Sequence, residues 1–203
     1  MPLTRRTLLV AAAALAAAPK AASAAPGATM REAATAFLNG LDGPQRNAAL
    51  FDFASNQRPA WNFMLGARRA PGLALEQMTP AQKDAALGLL ATGTSRLGLE
   101  KAENIMLQQD ILRDEWGKGA PDRNRERFSV QIYGTPAATG AWAWRWEGHH
   151  LSLTFTILDD EVVSTTPSAF SSEPNTVPSG PHRGLVVLKE EESLARTLFT
   201  DLT

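Results

Sequence analysis

Two spacings of apolar residues divide the chain into a helical first part and a second part made of strands. Before residue 117, apolar residues recur every three or four positions, as in amphipathic helices. After residue 127 they alternate with polar residues, as in half-buried strands. We therefore expect an α+β fold whose helices cover one face of an antiparallel sheet. The pattern predicts helices at 29–41, 45–53, 79–90 and 99–117, and strands at 128–134, 141–157 and 162–166.

A C-terminal helix is predicted after residue 189, because Leu194, Leu198 and Leu202 share one face. The segment Thr165–Gly184 before it is rich in Ser, Pro and Gly and has no regular period. Loops of this length in compact domains are usually functional or disordered, so the segment is a candidate lid. Asp159-Asp160-Glu161 is interpreted as a hairpin turn rather than as a pair of catalytic carboxylates.

The stretch GAWAWRWEGHHLSLTFTI (140–157) predicts a β-hairpin. A type II′ turn requires glycine at its first central position, so Gly148-His149 is the predicted two-residue turn. The large apolar residues then fall on one face, which we interpret as core, although three tryptophans could also line a carbohydrate groove. The predicted register pairs Glu147 with His150, Trp146 with Leu151, Arg145 with Ser152, Trp144 with Leu153 and Trp142 with Phe155.

The opposite face of this hairpin carries the candidate functional residues. Glu147 beside His150 forms a candidate catalytic pair, because a neighbouring carboxylate orients an imidazole and stabilises its protonated form. Arg145 offers a planar fork for a carboxylate or phosphate group, and Ser152 would add a hydrogen bond. The alternative is a solvated sheet face with ordinary cross-strand pairs.

The remaining histidines, His149 and His182, are candidate ligand-binding residues. A zinc-like ion bound by His150, Glu147 and His182 is chemically acceptable, although their spacing does not require it. Adjacent strand residues point to opposite faces, so His149 and His150 share an ion only where a turn relaxes regular geometry. The arginines clustered within residues 117–127 are interpreted as part of a solvated connector, with an anion site as the alternative.

The N-terminus has the pattern of an export signal. Arg5-Arg6 precedes the apolar run Leu8–Ala18, and Ala22-Ser23-Ala24 offers a cleavage site. The arginine pair indicates the twin-arginine route, with an ordinary Sec signal as the alternative. The apolar run is shorter than the roughly 20 residues of a membrane-spanning helix. We therefore expect a signal peptide at 1–24, a single domain at 25–203 without a membrane anchor, and a periplasmic or secreted location.

Charge and composition exclude several functional classes. The predicted signal peptide holds three basic residues and no acidic one, which leaves 17 basic against 21 acidic residues. That balance argues against a nucleic-acid partner. The absence of cysteine excludes a thiol nucleophile and cysteine-ligated metal sites. The sequence contains no G-x-S-x-G, H-E-x-x-H or Walker motif, and nothing in it indicates the oligomeric state.

The motif WAWRWEGHHLSLTFT (142–156), with IYGTP (132–136) and GPHRGL (180–185), resembles the family called domain of unknown function 3500. Members often carry a motif close to W-G-W-R-F-E-G-H-H-L-S-L-N-F-T, from which Ala143 and Thr154 depart. The resemblance extends from about Pro44 to the C-terminus, and many members continue beyond it, so a site shared between two halves would be only partly present here. It implies no activity, but it gives weight to Arg145, Glu147, His149, His150 and Ser152.

Together these features predict an exported protein that binds a small polar or anionic ligand on the polar face of the hairpin. Hydrolytic or metal-assisted chemistry is left open. The alternative function is a non-catalytic structural or protein-interaction module of the cell envelope.

Overall fold

The computed structural model describes residues 25–62, 70–116 and 123–202, and the predicted signal peptide lies outside these ranges. Within them the protein has five α-helices and a seven-stranded mixed sheet, which confirms the α+β prediction. The helices are α1 (Pro26–Asn39), α2 (Gly43–Ala49), α3 (Pro80–Thr92), α4 (Arg96–Trp116) and α5 (Lys189–Asp201). The strands are β1 (Leu50–Phe51), β2 (Leu73–Ala74), β3 (Ser129–Tyr133), β4 (Ala141–Gly148), β5 (Leu151–Leu158), β6 (Glu161–Ser164) and β7 (Ser168–Phe170).

Local signals explain where the first helices begin. Helix α1 starts at Pro26, because the fixed φ of proline suits a first helical position, so the predicted start at residue 29 is three residues late. Asp42 caps α2 by accepting a 2.8 Å hydrogen bond from the backbone N–H of Gln45. The helix predicted at 45–53 therefore begins earlier, ends at Ala49 and continues into β1. Helix α3 begins at Pro80 beneath its Thr79 cap, as predicted.

Strands β3, β4 and β5 form the antiparallel centre of the sheet. Short strands line both sides of this centre, with β1 and β2 along the outer edge of β3 and β6 and β7 along that of β5. Because β1 runs parallel to β3, the sheet is mixed rather than wholly antiparallel. The Asp159-Asp160 turn joins β5 to β6, as predicted.

The predicted register of the central hairpin is wrong by two residues. Trp146 pairs with Leu153 instead of Leu151, so the turn consists of His149 and His150. A shift of two residues is one full side-chain period, and every side chain therefore keeps its predicted face. His150 adopts a left-handed φ of 67°, which histidine tolerates better than most residues.

Gly148 belongs to β4 rather than to the turn. The ring of Phe128 packs against its Cα, and a Cβ at this position would overlap that ring. Glycine is required here by close packing and not by a type II′ turn.

The tryptophan face of the hairpin forms the core, as predicted. Trp142, Trp144 and Trp146 are fully buried beneath α1, α3 and α4, so none of the three lines a surface groove. Trp144 stacks on Phe155 with ring centroids 4.5 Å apart.

Helix α5 confirms the predicted C-terminal helix but leaves its apolar face in solvent. Leu194, Leu198 and Leu202 are 61–77% exposed. The helix is held near its first turn, where Glu191 accepts a 2.6 Å hydrogen bond from Lys101. None of the helices in the described ranges has the length and apolar character needed to span a bilayer.

Candidate functional site

The polar face of the hairpin is buried instead of solvated. Arg145 is fully buried, and its Nε donates a 2.8 Å hydrogen bond to Thr154 Oγ1. Its terminal nitrogens donate to the backbone carbonyls of Gln57 and Arg58. The loop after β1 that contains Gln57 and Arg58 therefore covers this face, and the guanidinium holds it there.

Glu147 belongs to the same buried network. Its carboxylate accepts a 2.8 Å hydrogen bond from Gln131 Nε2 and another from the backbone N–H of Asn62. Tyr133 donates its hydroxyl proton to Gln131, and burial raises the pKa of Tyr133 to about 12. Glu147 pairs with Ser152 across the hairpin, so the predicted pair with His150 is wrong. Ser152 is fully buried, and its hydroxyl has no hydrogen-bond partner within the described ranges.

A second polar cluster lies at the tip of the hairpin. The ring centroids of His149 and His150 are 3.7 Å apart. The left-handed backbone at His150 breaks the strand alternation that would send adjacent side chains to opposite faces. His149 and His150 therefore lie side by side, because they sit in a turn, which is the case in which the sequence allowed them to share an ion.

Glu173 takes the place beside His150 that was predicted for Glu147. Its Oε2 lies 3.1 Å from His150 Nε2. The segment predicted as a lid brings Glu173 there, because β7 pairs with β5 and the Ser171 N–H donates a 2.8 Å hydrogen bond to the His150 carbonyl. His182 lies instead in an exposed turn of that segment and is not part of the cluster.

His149 is buried and held between two partners. Its Nδ1 lies 2.8 Å from Gln109 Oε1, and Arg123 Nη1 lies 2.8 Å from its Nε2. The same Arg123 nitrogen also contacts Nδ1, so both ring nitrogens of His149 face the guanidinium. Burial, reinforced by the neighbouring His150 and by the Arg123 guanidinium, lowers the pKa of His149 to about 3. This imidazole is therefore neutral near neutral pH.

Two adjacent glutamines of α4 support both halves of the cluster. Gln109 also donates to the Ile105 carbonyl at 3.2 Å, which directs its oxygen towards His149. Gln108 donates to Ser172 Oγ at 3.0 Å and to the Pro174 carbonyl at 2.9 Å, on either side of Glu173. Both glutamines are at most 1% exposed.

Four contributors to this cluster were not among the sequence candidates: Gln108, Gln109, Arg123 and Glu173. The adjacent glutamines within an otherwise amphipathic helix are a weak signal of buried polar structure. Arg123 belongs to the arginine cluster for which an anion site was the alternative. Glu173 carries no local signal, because its role depends on the path of the long segment after β6.

One ligand atom from each of His149, His150 and Glu173 lies within 4.8 Å of the others. Arg123 extends its second terminal nitrogen to 3.7 Å from Glu173 Oε2. The tip thus joins neutral imidazole, carboxylate and guanidinium groups, a combination able to hold a cation or an anion and to transfer protons.

A family model described as Protein of unknown function (DUF3500) matches residues 23–203. No curated protein and no solved structure matches the chain.

Proposed function

The chain belongs to the family described as Protein of unknown function (DUF3500), and from that premise we propose that it is an exported protein that binds a small polar or anionic ligand at the hairpin tip. The proposal moves the site from the buried polar face to the cluster of Arg123, His150 and Glu173. Hydrolytic chemistry at this cluster is part of the proposal.

The observation that carries it is the convergence of three ionisable side chains from separate segments at a place that solvent reaches. Arg123 is 18% exposed, His150 12% and Glu173 42%. By contrast, Arg145 and Glu147 are at most 1% exposed, and a ligand could reach them only after the covering loop moved away.

Each group has a defined task in this proposal. Arg123 binds the negative group of the ligand, because its planar guanidinium matches carboxylate and phosphate oxygens. Glu173 orients His150, and His150 donates or accepts a proton at a polar bond of the ligand. The neutral His149 cannot serve as a general acid near neutral pH, so His150 is the proton-transferring histidine.

The test is calorimetric titration of the protein with inorganic phosphate, acetate and citrate, beside native mass spectrometry of protein isolated from its own cell envelope. We expect at least one anion to bind and His150→Asn or Arg123→Gln to weaken it about tenfold or more, the effect of roughly 1.4 kcal/mol. His182→Asn is the matched control and should bind normally. The proposal is rejected if anion binding survives both site variants. It is also rejected if no ligand is found in any titration or in the native mass spectra.

Export is a separate part of the proposal, supported by the N-terminal sequence pattern. Replacing Arg5 and Arg6 by lysine should retain the precursor in the cytoplasm if the route is twin-arginine, because the positive charge is kept and the motif is lost. Unchanged export of this variant would indicate the Sec route.

A second candidate function, a protein-interaction module of the cell envelope, is favoured by α5. Its apolar face exposes Leu194, Leu198 and Leu202, and exposed apolar surface often marks an interaction site. Light scattering of wild-type protein and of a Leu194→Gln, Leu198→Gln variant tests it. A lower molar mass in solution for the variant than for wild type would favour this function. If both proteins are monomers, self-association through this face is excluded.

A further inference from the structure

The hairpin tip also has the features of a metal site, in a residue set different from the one considered from sequence. His150 Nε2 and Glu173 Oε2 are 3.1 Å apart. A tetrahedral ion with ligand bonds of about 2.0–2.1 Å places its ligand atoms roughly 3.4 Å from one another. With one atom of His149 included, all three lie within 4.8 Å, so small side-chain movements would give coordination distances.

The supports behind these three residues resemble those of known metal sites. A histidine ligand usually donates its other ring N–H to an acceptor that fixes the ring, and Gln109 Oε1 is such an acceptor for His149 Nδ1. In the tautomer that donates to Gln109, the Nε2 lone pair faces Arg123. Gln108 holds the Ser172 hydroxyl and the Pro174 carbonyl, on either side of Glu173. Helix α4 therefore supports His149 through Gln109 and the residues on either side of Glu173 through Gln108.

His150 supplies an independent observation. Its Nδ1 is buried and makes no hydrogen bond within the described ranges, which is uncommon for a buried polar atom. A partly exposed imidazole with one nitrogen against a carboxylate and a buried second nitrogen without a partner in the described ranges has capacity for one more interaction.

Arg123 occupies the position of a cation in this cluster. Its guanidinium contacts both ring nitrogens of His149 and lies 3.7 Å from Glu173. A positive group packed on a neutral imidazole and beside a carboxylate makes the contacts that a metal ion would make there.

We propose that His149, His150 and Glu173 bind one divalent transition-metal ion of the zinc type, and that Arg123 moves aside when the ion binds. Two imidazoles and one carboxylate leave a fourth position for water or an anion, the arrangement of catalytic zinc sites. The displaced guanidinium remains close enough to bind an anion at that fourth position. This inference shares its site with the proposed function and names its cofactor class.

The first experiment titrates chelator-treated full-length protein, without a histidine tag, with Zn²⁺ by calorimetry and with Co²⁺ by absorbance. Wild type should bind one equivalent and give the intense visible bands of tetrahedral Co²⁺. His150→Asn keeps a residue that tolerates the left-handed backbone, and Glu173→Gln keeps the size of the side chain. Each should lower affinity more than the roughly 10–100-fold loss caused by removing a supporting hydrogen bond. His182→Asn should bind as wild type, and thermal unfolding verifies that every variant is folded.

Two further variants separate a ligand from a supporting residue. Gln109→Leu should weaken Zn²⁺ by roughly 10–100-fold while keeping tetrahedral Co²⁺ bands, because all three ligands remain. Arg123→Gln should bind Zn²⁺ at least as tightly as wild type, because the competing cation is gone, and should bind phosphate more weakly.

The inference is overturned if wild type binds no metal, if binding survives both His150→Asn and Glu173→Gln, or if Arg123→Gln abolishes it. Failure of the metal inference can be distinguished from failure of the proposed function. If the protein binds no metal but the chelator-treated protein still binds an anion through Arg123, the metal inference fails and the proposed function stands.

Discussion

Arg145 and Thr154 face each other across the central hairpin, and the guanidinium of one donates a 2.8 Å hydrogen bond to the hydroxyl of the other in an interior from which solvent is excluded. Thr154 supplies the acceptor oxygen for the Nε–H of Arg145. The same guanidinium binds two carbonyls of the covering loop. Arg145 therefore joins β4 to a loop that lies more than 80 residues earlier in the chain than Arg145 itself.

We predict that Arg145→Met destabilises the protein by about 3–5 kcal/mol, because it removes the ion-pair partner 3.8 Å from the buried Glu147 carboxylate and the donor to three acceptor oxygens. Urea unfolding at neutral pH measures the change. Arg96→Met is the matched control, since Arg96 is 89% exposed and should change stability by no more than about 0.5 kcal/mol.

Adding Glu147→Gln to Arg145→Met should recover part of the loss, because the buried carboxylate charge is then removed as well. A single variant as stable as wild type, or a double variant less stable than the single one, would contradict the role assigned to the ion pair.

A second prediction concerns the contact between α1 and the β5–β6 turn. Gly27 lies against the backbone of Asp160, whose carboxylate forms a 2.8 Å salt bridge with Arg31 one turn further along α1. Gly27→Ala should cost about 1–3 kcal/mol, because its Cβ would overlap a backbone carbonyl. Gly88→Ala in α3 has open space around it and should be neutral or stabilise the protein by up to about 1 kcal/mol. Urea unfolding of the two variants measures the change in the free energy of unfolding. Equal changes for Gly27→Ala and Gly88→Ala would contradict the packing argument.

Alternation of polar and apolar residues was sufficient to assign the faces of the hairpin but not its register. Any shift by two residues preserves the faces, so the pattern cannot distinguish the pair Trp146–Leu151 from the pair Trp146–Leu153. Two interactions outside the pattern decide between them: the left-handed backbone at His150 and the ring of Phe128 over Gly148.

The candidate site was predicted only in part for a related reason. The sequence identified His149 and His150, because an adjacent histidine pair in a hairpin is a local feature. Their partners Gln109 and Glu173 are 40 and 23 residues away along the chain. Burial of Arg145 was missed because the loop that covers it has no periodic pattern.

The contact of Phe128 with Gly148 leads to a third prediction. Gly148→Ala should destabilise the protein by about 1–3 kcal/mol, because its Cβ would overlap the buried ring of Phe128. In a Phe128→Leu background the same substitution should cost less, since the smaller side chain leaves space. A double-mutant cycle measured by urea unfolding gives the coupling, which should exceed about 0.5 kcal/mol for residues in contact. If the free-energy changes of the two substitutions were strictly additive, the ring of Phe128 would not be the reason that position 148 requires glycine.

Tyr133 supports a prediction about alkaline pH. Burial raises its pKa from 10.0 to about 12, so the folded state favours the protonated phenol more than the unfolded state does. The folded protein then holds more protons than the unfolded chain between pH 10 and 12, and stability falls as pH rises through that window. One group contributes a slope of up to about 1.4 kcal/mol per pH unit.

Tyr133→Phe should be less stable at neutral pH by about 1–2 kcal/mol, because Gln131 loses its donor, but should lose stability less steeply above pH 10. Because the chain has a single tyrosine, phenolate absorbance reports its ionisation directly while urea unfolding reports stability. A phenol that titrates near 10 in the folded protein, or equal alkaline slopes for both proteins, would show that Tyr133 is not held in the buried network with Gln131 and Glu147.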